Sequence, residues 1–180
     1  MEGIEFARIC DRNGLALPRA RLAGPLSTFC ESPDAARDST ELVEGQKLSE
    51  FLASQESKRL STFEALHVLY VLAKGIAPIH ARGEYHGDIH DDNIMIRRQG
   101  ITFEVKLLDF FDLGRPTRSK IHKDVLNLVE VFHTIVGGRA RYHDQPQVVK
   151  TIIRGLKDSL ILERFQSAED IQRHLENLSW

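Results

Sequence analysis

The chain has 180 residues, a length that suits one domain, or one and a half small ones, with a proper hydrophobic core. Its 24 Lys and Arg against 26 Asp and Glu give a net charge of -2, which excludes the broadly basic surface typical of nucleic-acid-binding proteins. Two cysteines, Cys10 and Cys30, are too few for a disulfide framework and lack the spacing of metal ligands. Residues 1–12 do not resemble a signal peptide, and the most apolar stretch, residues 65–79, is too short to cross a bilayer. We therefore expect a cytoplasmic protein whose partners include neither a nucleic acid nor a membrane.

The first 40 residues are the least regular part of the sequence. Glycines and prolines interrupt short apolar pieces, and residues 31–39 are typical of an exposed loop. We expect a few short strands or a turn of helix here rather than a complete domain.

Four stretches after residue 60 carry apolar residues at every third or fourth position, which is the spacing of amphipathic helices. They predict helices over residues 62–82, over residues 123–137 and over residues 146–157. The last helix is expected to begin at Ser167, because Ser167 and Asp170 resemble a capping box.

Between the first two predicted helices lies a segment of β type. Residues 93–97 and 101–108 flank a turn at residues 98–100 that contains a glycine, and Phe103, Val105 and Leu107 alternate with other residues. This pattern predicts an antiparallel hairpin. A hairpin followed by several helices makes an α+β fold that is mainly helical.

The predicted hairpin gathers hard oxygen groups at its open end. If its centre lies near Gly100, residue 93 lies opposite residue 108 or 109, which places Asn93 beside Asp109, and Asp88 comes shortly before the first strand. Mg²⁺ prefers one or two such oxygen ligands together with phosphate oxygens and water. A further carboxylate that binds no metal could orient a hydroxyl nucleophile.

These residues carry a resemblance to a known family. Residues 86–93 read HGDIHDDN and resemble the catalytic loop H-x-D-x-x-x-x-N of the protein-kinase-like superfamily. Residues 107–111, LLDFF, resemble the strand and metal-binding Asp-Phe-Gly motif, with Phe111 in place of the glycine. With Gly87 and His90, the loop is also similar to that of the aminoglycoside and choline phosphotransferases.

Further segments extend the resemblance in the right order over about residues 40–178. Residues 41–48 look like the hinge that binds adenine, and residues 123–128 look like the start of the long central helix of the large lobe. Residues 164–171 resemble the closing helix of bacterial Ser/Thr kinases.

The resemblance implies ATP and Mg²⁺ as cofactors and a role for each matching residue. Asp88 would accept or orient the substrate hydroxyl, while Asn93 and Asp109 would bind Mg²⁺. His86 would be a structural member of the catalytic loop. His90 would contact substrate or phosphate, or else serve as a hydrogen-bonded scaffold residue.

The same resemblance implies how the chain is divided. Residues 1–40 would be a residual small-lobe segment, residues 41–48 the hinge, and residues 49–180 the kinase-like large lobe. At the hinge, Glu41 and Val43 would hold the nucleotide.

Two departures from the kinase pattern matter. Only 15 positions separate Asp109 from Asp124, which leaves no room for the activation segment of a protein kinase, so control by phosphorylation there is not expected. No glycine-rich phosphate loop precedes the hinge, and the first lysine of the chain is Lys47. We therefore expect a reduced or missing small lobe. Its place on the large lobe would be covered by residues 1–40, by a second copy of the chain or by a partner.

The function expected is transfer of the γ-phosphate of ATP to a hydroxyl of a small molecule or of a protein Ser/Thr. The missing elements would come from another segment or subunit, unless the chain is a minimal kinase that binds phosphate through other basic groups. The alternative is a pseudokinase that acts as a binding or scaffold module. Asp124 is expected to be structural, at the start of its helix, and Arg115 and Arg118 are expected to lie in a solvated loop.

A metallohydrolase is a function of a different class. The histidines and carboxylates of this region could bind a transition metal: His80, His86, His90, Asp88, Asp91 and Asp92. Residues 87–90 resemble a motif of metallophosphoesterases, but that family needs an Asp-x-His pair upstream, and none occurs before Gly87.

Overall fold

The computed structural model describes residues 45–109 and 114–178. The predictions for residues 1–40, for Glu41 and Val43 of the hinge, and for Phe111 lie outside these ranges. The described chain begins with a short strand β1 (Gln46–Lys47) and a short helix α1 (Leu48–Ser54), neither of which the periodicity of the sequence indicated.

Helix α2 (Thr62–Ala81) confirms the first helix prediction almost residue for residue. It begins at a capping box in which the Ser61 hydroxyl accepts from the Glu64 amide, while the Glu64 carboxylate accepts from the Ser61 amide. Among the described helices, α2 alone is long and apolar enough to cross a membrane. Its apolar residues pack inside the protein against the hairpin and against two later helices, which is the environment of a core helix.

The predicted hairpin is present as β2 (Ile94–Gln99) and β3 (Thr102–Leu107), with β1 paired to the other edge of β2. Ile94 pairs with Leu107, and Gln99 pairs with Thr102, so the turn consists of two residues. Gly100 has a φ of +61° there, which suits the first central position of a tight hairpin turn. The Leu108 amide donates to the Asn93 carbonyl at 2.8 Å, so residue 93 does face residue 108 at the open end.

Helix α3 (Arg118–Ile135) begins five residues earlier than the apolar periodicity predicted. The expectation that Arg118 lies in a loop was therefore wrong, because Arg118 is the first residue of this helix. The Thr117 hydroxyl caps it by accepting from the Lys120 amide at 3.3 Å. The first three residues of the helix, residues 118–120, are polar, so they add nothing to the apolar stripe from which the start was judged.

The remaining chain is helical. It forms α4 (Gly138–Arg141), α5 (Gln147–Ile153) with a 3₁₀ turn at Arg154–Leu156, α6 (Asp158–Arg164) and α7 (Ala168–Glu176). The capping box at Ser167 is confirmed, with the Ser167 amide donating to the Asp170 carboxylate at 3.0 Å.

One continuous core joins these elements. It extends from Leu48 of α1, through the inward face of the hairpin and the apolar stripes of α2 and α3, to Ile171 of α7. The outward face of the hairpin is half-buried and mostly charged, and consists of Met95, Arg97, Glu104 and Lys106. Covering of this side by residues 1–40, a second copy or a partner stays a prediction.

Candidate functional site

The segment between α2 and β2 carries the residues singled out from the sequence. It leaves α2 after Ala81, runs through the loop of residues 86–93, and enters β2 through a 3₁₀ turn at Asp91–Asn93. Because β2 pairs with β3, the same end of the hairpin receives Asp109 from the other strand. Strand pairing in the hairpin therefore brings Asn93 and Asp109 to the same end, although they lie sixteen positions apart in sequence.

Asp124 holds the start of this loop. Its carboxylate is fully buried and accepts from the amides of His86 at 2.5 Å and Gly87 at 2.9 Å. A buried charge needs such donors, because desolvation without hydrogen bonds is costly. The prediction that Asp124 is structural agrees with these contacts. Its placement at the helix start was wrong, because α3 already begins at Arg118.

His80 is the third partner of Asp124. Its Nε2 lies 3.2 Å from the Asp124 carboxylate, and its Nδ1 accepts from the amide of Ala168 at 3.0 Å. This buried imidazole thus connects α2, α3 and the start of α7. It is engaged on both nitrogens, so it is not a metal ligand as the metallohydrolase hypothesis would require.

His86 is buried inside the loop and connects its two sides. Its Nδ1 accepts from the Asp88 amide at 3.3 Å, and the ring also hydrogen-bonds the backbone of Leu108 on the far side of the hairpin mouth. Burial lowers the pKa of His86 to about 4, although the nearby carboxylates of Asp124 and Asp88 act in the opposite direction. His86 is therefore a neutral positioning residue at physiological pH, in keeping with the structural role that its motif implied.

Asp88 and Asn93 form the central polar pair of the loop. The Asn93 side-chain nitrogen donates to the Asp88 carboxylate at 2.9 Å and to the Asp88 carbonyl at 3.1 Å. Asn93 is buried, whereas the Asp88 side chain keeps 42% of its surface exposed. The carboxylate of Asp88 is therefore accessible from solvent, while the amide of Asn93 fixes its orientation.

Asp109 is exposed and lies at the end of β3 with a φ of +53°. Left-handed backbone is uncommon for a residue with a side chain, although Asp and Asn tolerate it better than most. A strained residue beside a polar loop is a frequent feature of functional sites.

The donor set at the hairpin mouth fits Mg²⁺. Both hydrogens of the Asn93 amide nitrogen are engaged by Asp88, so the amide oxygen is left to face a different ligand. Asp109 adds an exposed carboxylate from the facing strand. An amide oxygen and a carboxylate are hard ligands of the kind that Mg²⁺ takes from proteins.

His90 lies next to this pair. Its Nε2 is 3.6 Å from the Asp88 carboxylate, and its Nδ1 accepts from the Asp92 amide at 3.3 Å. With Asp91 and Asp92 it forms the one group of three potential metal-ligating side chains found among the described residues. Asp92, however, also accepts from the Ser49 hydroxyl of α1 at 2.6 Å, a contact that ties the loop to that helix.

Two of these connections were missed by sequence reasoning: the Asp124 contacts with the loop amides and the Ser49 contact. For the first, the sequence indicated that Asp124 is structural, but it did not indicate which groups donate to its carboxylate. Nothing in the sequence indicated the second, since residues 49 and 92 meet only in the folded chain.

The comparisons with known proteins agree with this architecture. No family model matches the sequence. Serine/threonine-protein kinase pkn2 of Myxococcus xanthus is 35% identical over 82 residues, which cover 46% of this chain and 10% of that protein.

Solved structures extend the likeness. The PknI kinase domain of Mycobacterium tuberculosis superposes with a TM-score of 0.53 at 17% identity, and a cysteine-to-alanine variant of it with 0.54 at 18%. In both cases the match covers 74% of this chain and 62% of the solved chain. The chain thus spans a tenth of its curated relative and less than two thirds of the solved domains. The protein therefore has a protein-kinase-like fold, in which the described residues form a mainly helical large lobe with the candidate site at the mouth of its β-hairpin.

Proposed function

We propose that the chain provides the catalytic lobe of an ATP- and Mg²⁺-dependent phosphotransferase that acts on a hydroxyl acceptor. The observation that carries this proposal is the hydrogen-bonded pair of Asp88 and Asn93. Asp124 and His86 hold the loop that carries this pair, at the end of the hairpin where Asp109 also lies. A scaffold module would have no need for an exposed carboxylate that is oriented by a buried network.

Each residue has a definite task in this proposal. Asp88 accepts or orients the acceptor hydroxyl, and His86 keeps the Asp88 backbone in place. The Asn93 amide oxygen and the Asp109 carboxylate hold Mg²⁺, which neutralises phosphate charge when it is bound. His90, beside Asp88, contacts the acceptor or the phosphate.

The nucleotide side of the site rests on the sequence resemblance. Glu41 and Val43 would hold the adenine through the hinge. No lysine precedes Lys47 in the 180 residues, so the cation for the α- and β-phosphates would come from another segment, a partner subunit or a second copy. The acceptor is a protein Ser/Thr or a small molecule, and the reaction belongs to the cytoplasm.

A pseudokinase that serves as a binding module is the second candidate. It is favoured by the absence of a lysine ahead of Lys47 and by a Phe at position 111 where kinases carry glycine. In that case the network around Asp124 would maintain the fold without supporting phosphate transfer.

Calorimetric titration of ATP into residues 1–180, with and without Mg²⁺, tests the proposal. Asp109→Asn is the informative variant, because Asn tolerates the left-handed backbone and only the charge is lost. We expect binding that requires Mg²⁺ and that weakens at least about tenfold in Asp109→Asn, since a charged metal ligand is gone. Asp144→Asn removes another exposed carboxylate, from the segment between α4 and α5, and is expected to bind as the wild type does.

Other results would point to the second candidate. ATP binding that is the same with and without Mg²⁺, and the same in Asp109→Asn as in the wild type, would indicate a pseudokinase. The absence of binding up to millimolar ATP would leave the chain as a scaffold or as half of a composite enzyme. If Mg²⁺-dependent binding is found, Asp88→Asn is expected to retain it and to abolish phosphate transfer.

A further inference from the structure

Residues 114–123 comprise residues 114–117, where the described chain resumes after Asp109, and the first six residues of α3; they form a segment of one charge sign. Within it lie Arg115, Arg118, Lys120 and Lys123, and no Asp or Glu. The whole chain has a net charge of -2, so this local excess of positive charge contrasts with the rest of the protein. We call residues 114–123 the basic segment.

The basic segment is fastened beside the candidate site by Tyr85, the buried residue that precedes His86. The Tyr85 hydroxyl donates to the Gly114 carbonyl at 2.8 Å and accepts from the Lys120 Nζ at 3.2 Å. Lys120 also donates to the carbonyls of Gly114 at 3.1 Å and Arg115 at 2.8 Å, and its ammonium lies 4.7 Å from the centre of the Tyr85 ring. These contacts fix where the basic segment lies relative to the 86–93 loop.

Lys120 is thus used structurally, whereas the other three cations are exposed to solvent. Arg118 donates to the neutral side chain of Gln166 at 2.6 Å. Arg115, Arg118 and Lys123 form no ion pair with a carboxylate of the described residues. Helix stability does not account for them either. Three cations occupy the first six positions of α3, where the helix dipole favours carboxylates.

We propose that the basic segment is the docking surface for the acceptor, and that the acceptor is a Ser- or Thr-containing protein segment rich in Asp and Glu. The positive charge of the basic segment favours a partner rich in Asp and Glu. Because Tyr85 and His86 connect the basic segment to Asp88, that partner is assigned as the acceptor. An extended partner suits the arrangement, because Arg115, Arg118 and Lys123 are spread over an open loop and a helix surface. Two cavities that the described residues form lie instead along α2 and α7. This inference rests on the proposed function, because it names the acceptor of that same site.

Fluorescence anisotropy with the full chain and three labelled peptides tests it. The peptides have equal length and one central Ser, flanked by Glu and Asp, by Gly, or by Lys. We expect binding of the acidic peptide only, and its loss when NaCl is raised from about 0.05 to about 0.5 M, since exposed charge pairs are screened. In Arg115→Glu/Lys123→Glu we expect an affinity at least about tenfold lower, because two attractions become repulsions.

Lys58→Glu/Arg139→Glu is the matched control, with the same change in net charge. Both residues are exposed at the opposite end of α3, which is about 27 Å long for its 18 residues. The control is expected to bind the acidic peptide as the wild type does. Equal losses in the two double variants, equal binding of all three peptides, or full competition by inorganic phosphate at a concentration equal to that of the peptide would overturn the proposal.

The same variants separate this inference from the proposed function. Arg115→Glu/Lys123→Glu is expected to bind ATP and Mg²⁺ in calorimetry like the wild type, because neither residue belongs to the metal or nucleotide site. Acidic-peptide binding without ATP binding would retain the docking surface and would count against a phosphotransferase that is complete within these 180 residues. ATP binding with no preference for the acidic peptide would do the reverse.

Discussion

His86 shows how a single side chain determines the geometry of the loop. Its neutral ring accepts from the Asp88 amide on one nitrogen and hydrogen-bonds the Leu108 backbone with the other, so it ties the loop to the far strand of the hairpin. Protonation would remove the acceptor and place a charge in a buried site. For this reason the pKa of His86 is lowered to about 4 by burial.

The depressed pKa of His86 predicts a loss of stability in mild acid. Below the unfolded-state pKa of 6.5 the unfolded chain takes up a proton that the folded chain refuses, down to about pH 4. The free energy of unfolding should therefore fall by up to about 1.4 kcal/mol per pH unit within that window. Urea titrations at about pH 7.5 and about pH 5 would measure this loss.

The comparison that isolates His86 is with His86→Gln, which offers a donor and an acceptor but does not titrate. We expect its stability to change less between the two pH values than that of the wild type. His143→Gln, at a fully exposed histidine, should leave the wild-type pH dependence unchanged. If His86→Gln loses as much free energy of unfolding as the wild type between the two pH values, His86 is not the source of the acid sensitivity.

At the scale of elements, the basic segment, which includes the start of α3, is held by a small polar cluster rather than by the core. Tyr85 and Lys120 bridge the end of the 82–85 connection to Gly114 and Arg115 through hydroxyl, ammonium and carbonyl groups. The start of α3 thus depends on polar contacts, whereas its later turns depend on apolar burial.

Lys120→Met should loosen the start of α3 selectively. Methionine can preserve the packing of the stem on Tyr85, but the two carbonyls lose a charged donor, for which we expect a loss of about 1–2 kcal/mol. Hydrogen exchange of peptides that cover residues 114–122 should become faster, while that of α5 and α6 stays unchanged. Lys123→Met, at an exposed lysine three positions later, is the control and should alter neither measurement. If hydrogen exchange of residues 114–122 is the same in Lys120→Met and Lys123→Met, Lys120 does not hold the start of α3.

For the molecule as a whole, one core makes the described elements interdependent. Leu52 of α1 and Ile171 of α7 belong to the same apolar cluster as the hairpin and the two long helices. Within the described ranges, no helix has a core of its own. Cooperative unfolding is the usual consequence for a single domain of this size.

We therefore expect Leu52→Ala and Ile171→Ala to lower the midpoint of one and the same thermal transition. Each substitution creates a cavity in the core, for which about 2–4 kcal/mol is typical. Far-UV circular dichroism and tyrosine absorbance, recorded on the same samples, should give coincident curves. Glu56→Ala, at an exposed position between α1 and α2, serves as the control. Two separate transitions, each sensitive to only one of the two substitutions, would contradict a shared core.

The sequence by itself determined the periodic and local features of this protein. Helix α2, the hairpin and the start of α7 follow from apolar spacing, a glycine turn and a capping box, and each depends on residues that are near one another in the chain. The grouping of Asp88, Asn93 and Asp109 was predictable for the same reason, because strand pairing in a hairpin fixes which residues meet.

Only the tertiary structure decided what supports that group. The contacts of Asp124 with the His86 and Gly87 amides, of His80 with Ala168, of Ser49 with Asp92 and of Tyr85 with Gly114 join residues 29 to 88 positions apart. No periodicity marks such contacts, because they depend on how helices pack against the loop rather than on local conformation. The early start of α3 was hidden for a related reason, since hydrogen bonds of Thr117 and Lys120 fix its first turn and no apolar stripe marks it.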